Sequence, residues 1–231
     1  MIRKFTLSLL CFGLLAIPAN LRAQSETDDS KTVDSPPKIV DDSNVDSGWT
    51  TMFNGQSLDG WKINENDNSW SIEDGALVCH GPRSHIFYVA TDKPFTNFHF
   101  RCEVKTTKGS NSGIYFHTQY QDDGWPRFGY ECQVNCSGGD PKKSSSLYSV
   151  EDIANPPIKD GEWYTQEIIV EGNHITLKIN GETLVDFTED EDRAAFSADF
   201  ERRLGKGTFA IQAHDPQSKV YFRNLEVKRL E

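Results

Sequence analysis

WYTQEIIVEGNHITLKINGETLVDF, residues 163–187, reads as three short extended segments joined by two tight turns. Apolar and polar residues alternate in Trp163–Val170, His174–Ile179 and Glu182–Phe187, the period of strands with one buried face. Asn180-Gly181 between two such runs predicts a type I′ hairpin, because both central positions of that turn want φ > 0. Glu171-Gly172-Asn173 reads as a second tight turn. The same texture runs from Gly48 to the end of the chain. Further strands are expected at Trp70–Glu73, Ala76–His80, Ile86–Ala90, Asn97–Thr106, Gly113–Gln119, Gly129–Asn135, Thr208–His214 and Val220–Arg229. Eleven strands in about 184 residues, with no alternating helices, predict an all-β domain over 48–231 made of two packed antiparallel sheets. Asp192–Leu204 alone looks helical, so at most one short helix is expected.

Upstream of Gly48 the composition changes twice. Arg3 and Lys4 precede an apolar run from Phe5 to Ile17, and small residues follow near Ala19 and Ala23. A basic start, a short apolar core and a small-residue exit predict a cleaved secretory signal over 1–23, and hence an exported protein. The run is too short for a membrane span, which needs about 20 apolar residues, so no membrane insertion is expected once the signal is removed. Residues 24–47 are acidic and hold no aromatic residue, and they read as a flexible linker. The whole chain carries 24 Lys and Arg against 35 Asp and Glu, a net charge of −11. Such a surface repels phosphate backbones, and nucleic acid is excluded as a partner. Signal removal takes Cys11 and leaves Cys79, Cys102, Cys132 and Cys136, which sequence alone cannot pair.

The strand period also separates faces. In Phe98–Lys105 the apolar and charged sets part cleanly, as on a strand with one wet side. Three other strands carry a different second face: Tyr115, His117 and Gln119 on one; Glu131, Gln133 and Asn135 on the next; Gln212 and His214 on the third. Amides, imidazoles, a phenol and one carboxylate replace the lysines of an ordinary solvated face. This is the inventory of a sugar site, where amides and carboxylates hold hydroxyl pairs and aromatic rings stack on a pyranose. Trp125 and Tyr148 fall in neighbouring loops and complete the expected walls. His80, His85 and His174 lie near turns or strand ends and read as surface histidines.

WTTMFNGQSLDGW (49–61), NSGIYFH (111–117), GYECQV (129–134), GTFAIQAHD (207–215) and VYFRNLEVKRL (220–230), taken in order, resemble the 3-keto-disaccharide hydrolase domain family. The resemblance covers essentially all of 48–231. It implies a concanavalin-A-like jelly-roll sandwich acting on carbohydrate, generally in exported bacterial proteins. Glucanases of this fold place several carboxylates along one strand, whereas the comparable positions here read Glu131, Gln133 and Asn135. A lone carboxylate departs from the paired acids of an ordinary glycosidase, which would have to recruit Asp140 or Asp215.

A 3-keto sugar needs less. Its ketone acidifies the hydrogen at C2, so one base and one acid suffice to expel the C1 substituent, and water then adds back. On this reading Glu131 is the base and His214 or His117 the acid. Gln133, Gln212, Gln119 and Asn135 serve the hydroxyls, and Tyr115, Trp125 and Tyr148 serve as walls. A divalent metal held by His117, Glu131 and His214 is an alternative route to the same enolate. No segment resembles a nicotinamide site, so a separate sugar 3-dehydrogenase upstream is a corollary. A non-catalytic carbohydrate-binding module of the same fold is the competing class.

Overall fold

The structure, a computed structural model, describes residues 48–231. The expected signal (1–23) and linker (24–47) lie outside the described residues. Among the described residues thirteen strands follow one another. The first five are β1 (Thr50–Thr51), β2 (Trp61–Ile63), β3 (Trp70–Glu73), β4 (Ala76–Cys79) and β5 (Ser84–Tyr88). Next come β6 (Phe98–Thr106), β7 (Ser112–Thr118), β8 (Tyr130–Val134) and β9 (Tyr164–Glu171). The last four are β10 (His174–Ile179), β11 (Glu182–Thr188), β12 (Thr208–Ala213) and β13 (Val220–Arg229). All eleven expected strands are present, within one or two residues at their ends; the short β1 and β2 were not expected.

The larger sheet has the order β11-β10-β9-β6-β13-β4-β3, with β1 also paired to β13; the smaller runs β2-β5-β12-β7-β8. Every pair is antiparallel. Asn180 and Gly181 have φ of 51° and 82°, as the I′ turn between β10 and β11 requires. The expectation of a helix at Asp192–Leu204 is corrected: that segment is a chain of turns and extended residues, and the described residues hold only a single 3-10 turn, Asp67–Ser69. Its would-be apolar stripe is too thin to pack a helix. Phe196 stands exposed and Leu204 is only partly buried.

The two sheets use their faces differently. β6, β9 and β10 alternate buried and partly exposed residues, so the larger sheet turns one face to the core and one to solvent. Phe98 and Phe100 on β6 meet Phe209 on β12 across the core, with ring centroids 4.8 and 5.0 Å apart. Each such ring contributes about 1.5–3 kcal/mol by leaving water. In the smaller sheet every residue of β5 and β7 is buried. A strand buried on both faces needs cover on its second face. Here that face carries a small apolar cluster of Phe87, Tyr115 and Ala210, packed by Tyr120, and beside it a polar cleft roofed by loops.

Candidate active site

The registers lay out the floor of the cleft. Tyr115 of β7 pairs with Glu131 of β8 and with Ala210 of β12; Gly113 pairs with Gln133, and Gln212 with His85 of β5. Side chains two residues apart share a face. Gln212, Tyr115, Glu131 and Gln133 therefore point the same way, as the sequence pattern required. They line a cleft of about 230 Å³ together with His214, Trp125, Tyr148, Asn111, Asp140, Phe200 and Arg202, among others.

Glu131 stands at its centre. Gln212 Nε2 donates to Glu131 Oε1 at 3.1 Å and to the Tyr115 hydroxyl oxygen at 2.9 Å, and the Tyr115 hydroxyl donates in turn to Glu131. Burial pushes the Glu131 carboxyl up to about 7, against the pull of the Tyr115 and Gln212 hydrogen bonds and of the Arg202 charge; Asp140 adds to the push. A Cβ on Gly113 would lie 2.2 Å from Glu131 Oε1. The missing side chain at Gly113 is what lets the carboxylate lean off its own strand toward Gln212. Burial also drives the Tyr115 phenol well above its ordinary range, so it stays a donor.

Beside this group His214 Nδ1 lies 2.6 Å from Asp215 Oδ2. Asp215 is burdened by burial, yet it accepts from His214, Gln217 N, Ser218 N and Ser218 Oγ, and the net effect holds its carboxyl below the ordinary value. An ionised carboxylate only accepts, which puts a proton on Nδ1 and leaves Nε2 as the working nitrogen of His214. The Trp125 ring packs 5.3 Å from the His214 ring. Several polar atoms in the cleft wall are buried with no partner: Gln133 Oε1, Gln212 Oε1, Asn111 Oδ1 and Arg202 Nη1. Buried polar atoms are paired as a rule, and a set of open acceptors and a donor on one concave wall is what a polyhydroxylated ligand would complete.

Residues 48–228 match the family model of the 3-keto-alpha-glucoside-1,2-lyase-like domain. The chain belongs to that family. A curated relative from Bacteroides thetaiotaomicron, a 3-keto-disaccharide hydrolase, is 26% identical over 80% of this chain and 79% of its own length. A solved structure of a proposed glycosyl hydrolase from Parabacteroides distasonis superposes with a TM-score of 0.66 at 23% identity, covering 80% of this chain and 94% of that one. The carbohydrate-binding module CBM66 of Bacillus subtilis superposes at 0.50 with 14% identity, over 73% of this chain and 95% of that one. These structures share the fold, a concanavalin-A-like jelly-roll sandwich.

In this 3-keto-lyase-like domain seven of the ten site residues read from the sequence share the cleft: Glu131, His214, Gln133, Gln212, Tyr115, Trp125 and Tyr148. Three do not. His117 has φ of 57° and lies beside a register shift between β7 and β12, which breaks the alternation and turns its ring away from the face of Tyr115. Its Nε2 sits 2.8 Å from Thr96 O, Nδ1 accepts from Gly205 N, and the ring packs on Phe98 and Phe116 of the core. Asn135 is spent on the loop after β8: its amide donates to Asp140 O and Lys142 O and accepts from Gly138 N. Gln119 lies exposed beyond the end of β7.

With His117 facing the core, the trio His117, Glu131 and His214 does not assemble. Among the described residues no group of three His, Cys, Asp or Glu side chains has the convergence to hold a metal ion. Asp140 does reach the cleft, but its carboxylate already accepts from the Tyr148 hydroxyl and from Lys142 N. Asp215 is occupied in holding His214.

Sequence reasoning passed over Arg202, Asn111, Gly113 and His85. His85, read as a surface residue, is fully buried, edge-on to Tyr115 and Trp125 at 5.5 Å, and burial lowers its pKa to about 3. It is a neutral prop beneath Trp125. Its place on the face of Gln212 was open to the same period-two argument. The four cysteines Cys79, Cys102, Cys132 and Cys136 are free thiols, the first three buried.

Proposed function

We propose that this chain is an exported carbohydrate-active hydrolase that cleaves 3-keto glycosides by ketone-assisted elimination and hydration. One observation carries the reading: a half-buried carboxyl on the sheet, raised to about 7, stands among hydroxyl-binding amides in a cleft with a carboxylate-oriented histidine. A general base works best with its pKa near the working pH, because it is then both substantially ionised and basic. Membership of the family, and a relative that is a 3-keto-disaccharide hydrolase, support the substrate class.

Glu131 removes the proton at C2, and the C2–H electron pair moves toward C3 to give an enolate on the ketone oxygen. The enolate re-forms the ketone as the C1–oxygen bond breaks, and His214, entering the step with a proton on Nε2 as well as on Nδ1, gives the Nε2 proton to the departing oxygen. A C1–C2 double bond conjugated to the ketone remains. Water adds its hydroxyl to C1 and a proton returns to C2, which leaves the 3-keto sugar and the free alcohol. Gln133 and Gln212 offer open acceptors to the sugar hydroxyls, and Tyr115, Trp125 and Tyr148 wall the ring. A separate sugar 3-dehydrogenase supplies the ketone. Export rests on the basic and apolar pattern of residues 1–23.

The test is alcohol release from a 3-keto glucoside and from its unoxidised parent, each with the protein and with Glu131→Gln. Release from the keto form alone, lost in the variant, is the expected result. Release from neither form, with saturable sugar binding retained, makes the chain a carbohydrate-binding module instead.

A further inference from the structure

Arg202 comes from the segment between β11 and β12, outside the strands of the cleft floor, and several ties fix its course. Glu189 accepts from Leu204 N at 2.9 Å and from the Tyr130 hydroxyl; Glu201 N donates to Arg127 O; Arg193 Nε donates to Arg202 O. Arg202 itself has φ of 46°, a left-handed conformation that a non-glycine residue adopts at a cost, often where a side chain is aimed for function. Its guanidinium carbon lies 3.9 Å from the Phe196 ring, 5.1 Å from Tyr148 and 5.8 Å from Phe200.

Arg83, Arg101 and Arg223 sit on carboxylates: Glu65, Glu226 and Glu103. Arg202 instead lies against three rings, and its Nη1 is buried with no hydrogen-bond partner. A buried guanidinium N–H without an acceptor is expensive, and it is retained where a ligand supplies the acceptor. The open space it faces is that of Glu131. Both line the cleft, and each feels the other's charge.

Resting on the elimination reading above, we infer that Arg202 is a catalytic residue whose free Nη1–H binds the C3 ketone oxygen and holds the charge of the enolate. When Glu131 takes the C2 proton, negative charge appears on one oxygen two bonds away, and that oxygen needs one strong donor fixed in advance. The rings of Phe196, Tyr148 and Phe200 shield part of the guanidinium, so its charge acts on the enolate with less screening than in open water.

The experiment follows deuterium entry at C2 of a 3-keto glucoside in D₂O, beside alcohol release, for the protein, Arg202→Ala and Arg202→Lys. Both variants are first checked for native circular dichroism and for binding of the unoxidised parent glucoside. Arg202→Ala is expected to lower kcat and exchange together by about 10²–10³-fold, with parent binding nearly unchanged. Arg202→Lys should recover part of the loss, and guanidinium ion added to Arg202→Ala should recover more. Exchange in Arg202→Ala within about fivefold of the parent protein, with no guanidinium effect, overturns the inference and leaves Glu131 as base intact. No exchange in the parent protein overturns the elimination reading, and this inference with it.

Discussion

Glu131→Gln should make the protein more stable, by an amount that grows from about pH 4.5 and is complete above about pH 7. The Glu131 carboxyl is held at about 7 against an ordinary 4.5. A carboxyl whose folded-state pKa stands above its unfolded one binds its proton more tightly in the fold. Its contribution therefore favours folding fully below about pH 4.5 and is lost as pH rises through about 7. At 1.36 kcal/mol per pH unit the span corresponds to about 3 kcal/mol. Glu131 is partly exposed in an open cleft, and glutamine replaces the Tyr115 and Gln212 bonds imperfectly, so a gain of about 1–3 kcal/mol above pH 8 is expected.

Urea unfolding of both proteins at pH 5.0 and pH 8.5, read by tryptophan fluorescence, measures this directly. The buried histidines His85 and His117, whose pKa values burial lowers, alter stability in acid, but equally in both proteins. They cancel in the difference. A stability gap that is small at pH 5.0, where ionisation of the unfolded carboxyl has only begun, and that widens by about 1–2 kcal/mol at pH 8.5, the variant ahead, is the expected result. A constant difference at both pH values would mean that Glu131 ionises normally, and the argument for it as a poised base would fall.

Three further outcomes follow from the same geometry. Gly113→Ala puts a methyl group 2.2 Å from Glu131 Oε1; a carboxylate displaced by about 1 Å should cost about 10²-fold in kcat, and wild-type turnover in a folded variant refutes the positioning role. His117→Ala removes the contacts to Thr96 O and Gly205 N and strains a left-handed position; denaturant unfolding should show a loss of about 2–4 kcal/mol, while kcat/KM of the folded variant stays near wild type. In protein lacking residues 1–23, a thiol reagent should modify Cys136 alone before unfolding and all four cysteines after it; fewer than four in denaturant, without reductant, would reveal a disulfide.

Where the sequence could be read, the backbone kept the period of two. Phe98–Lys105, Gly129–Asn135 and Thr208–His214 hold it, and Glu131, Gln133, Gln212 and Tyr115 arrive on one face as the alternation requires. His117 was misplaced because one residue at φ of 57° reverses a strand's faces, and nothing in NSGIYFH announces the reversal. Asn135 failed for another reason. Its face was right, but the return loop after β8 needs its buried backbone groups satisfied, and the Asn135 amide serves Asp140 and Lys142 before any ligand can.

Arg202 shows the limit more sharply. Alternation can rank residues within a sheet but says nothing about what a long connection carries over it. Within that connection Asp192–Leu204 was read as helical, and Arg202 drew no functional reading. The ties that bring Arg202 back, through Glu189 to Tyr130 and through Glu201 to Arg127, join residues 59 and 74 positions apart, beyond any local pattern. The sheet thus presents amides and one carboxylate from a legible code, while the charge that faces them is delivered by a loop. A cleft assembled this way can change its chemistry by changing the loop while the sheet stays fixed. Grafting a different β11–β12 segment should then alter turnover before it alters sugar binding, because the hydroxyl-binding amides belong to the strands.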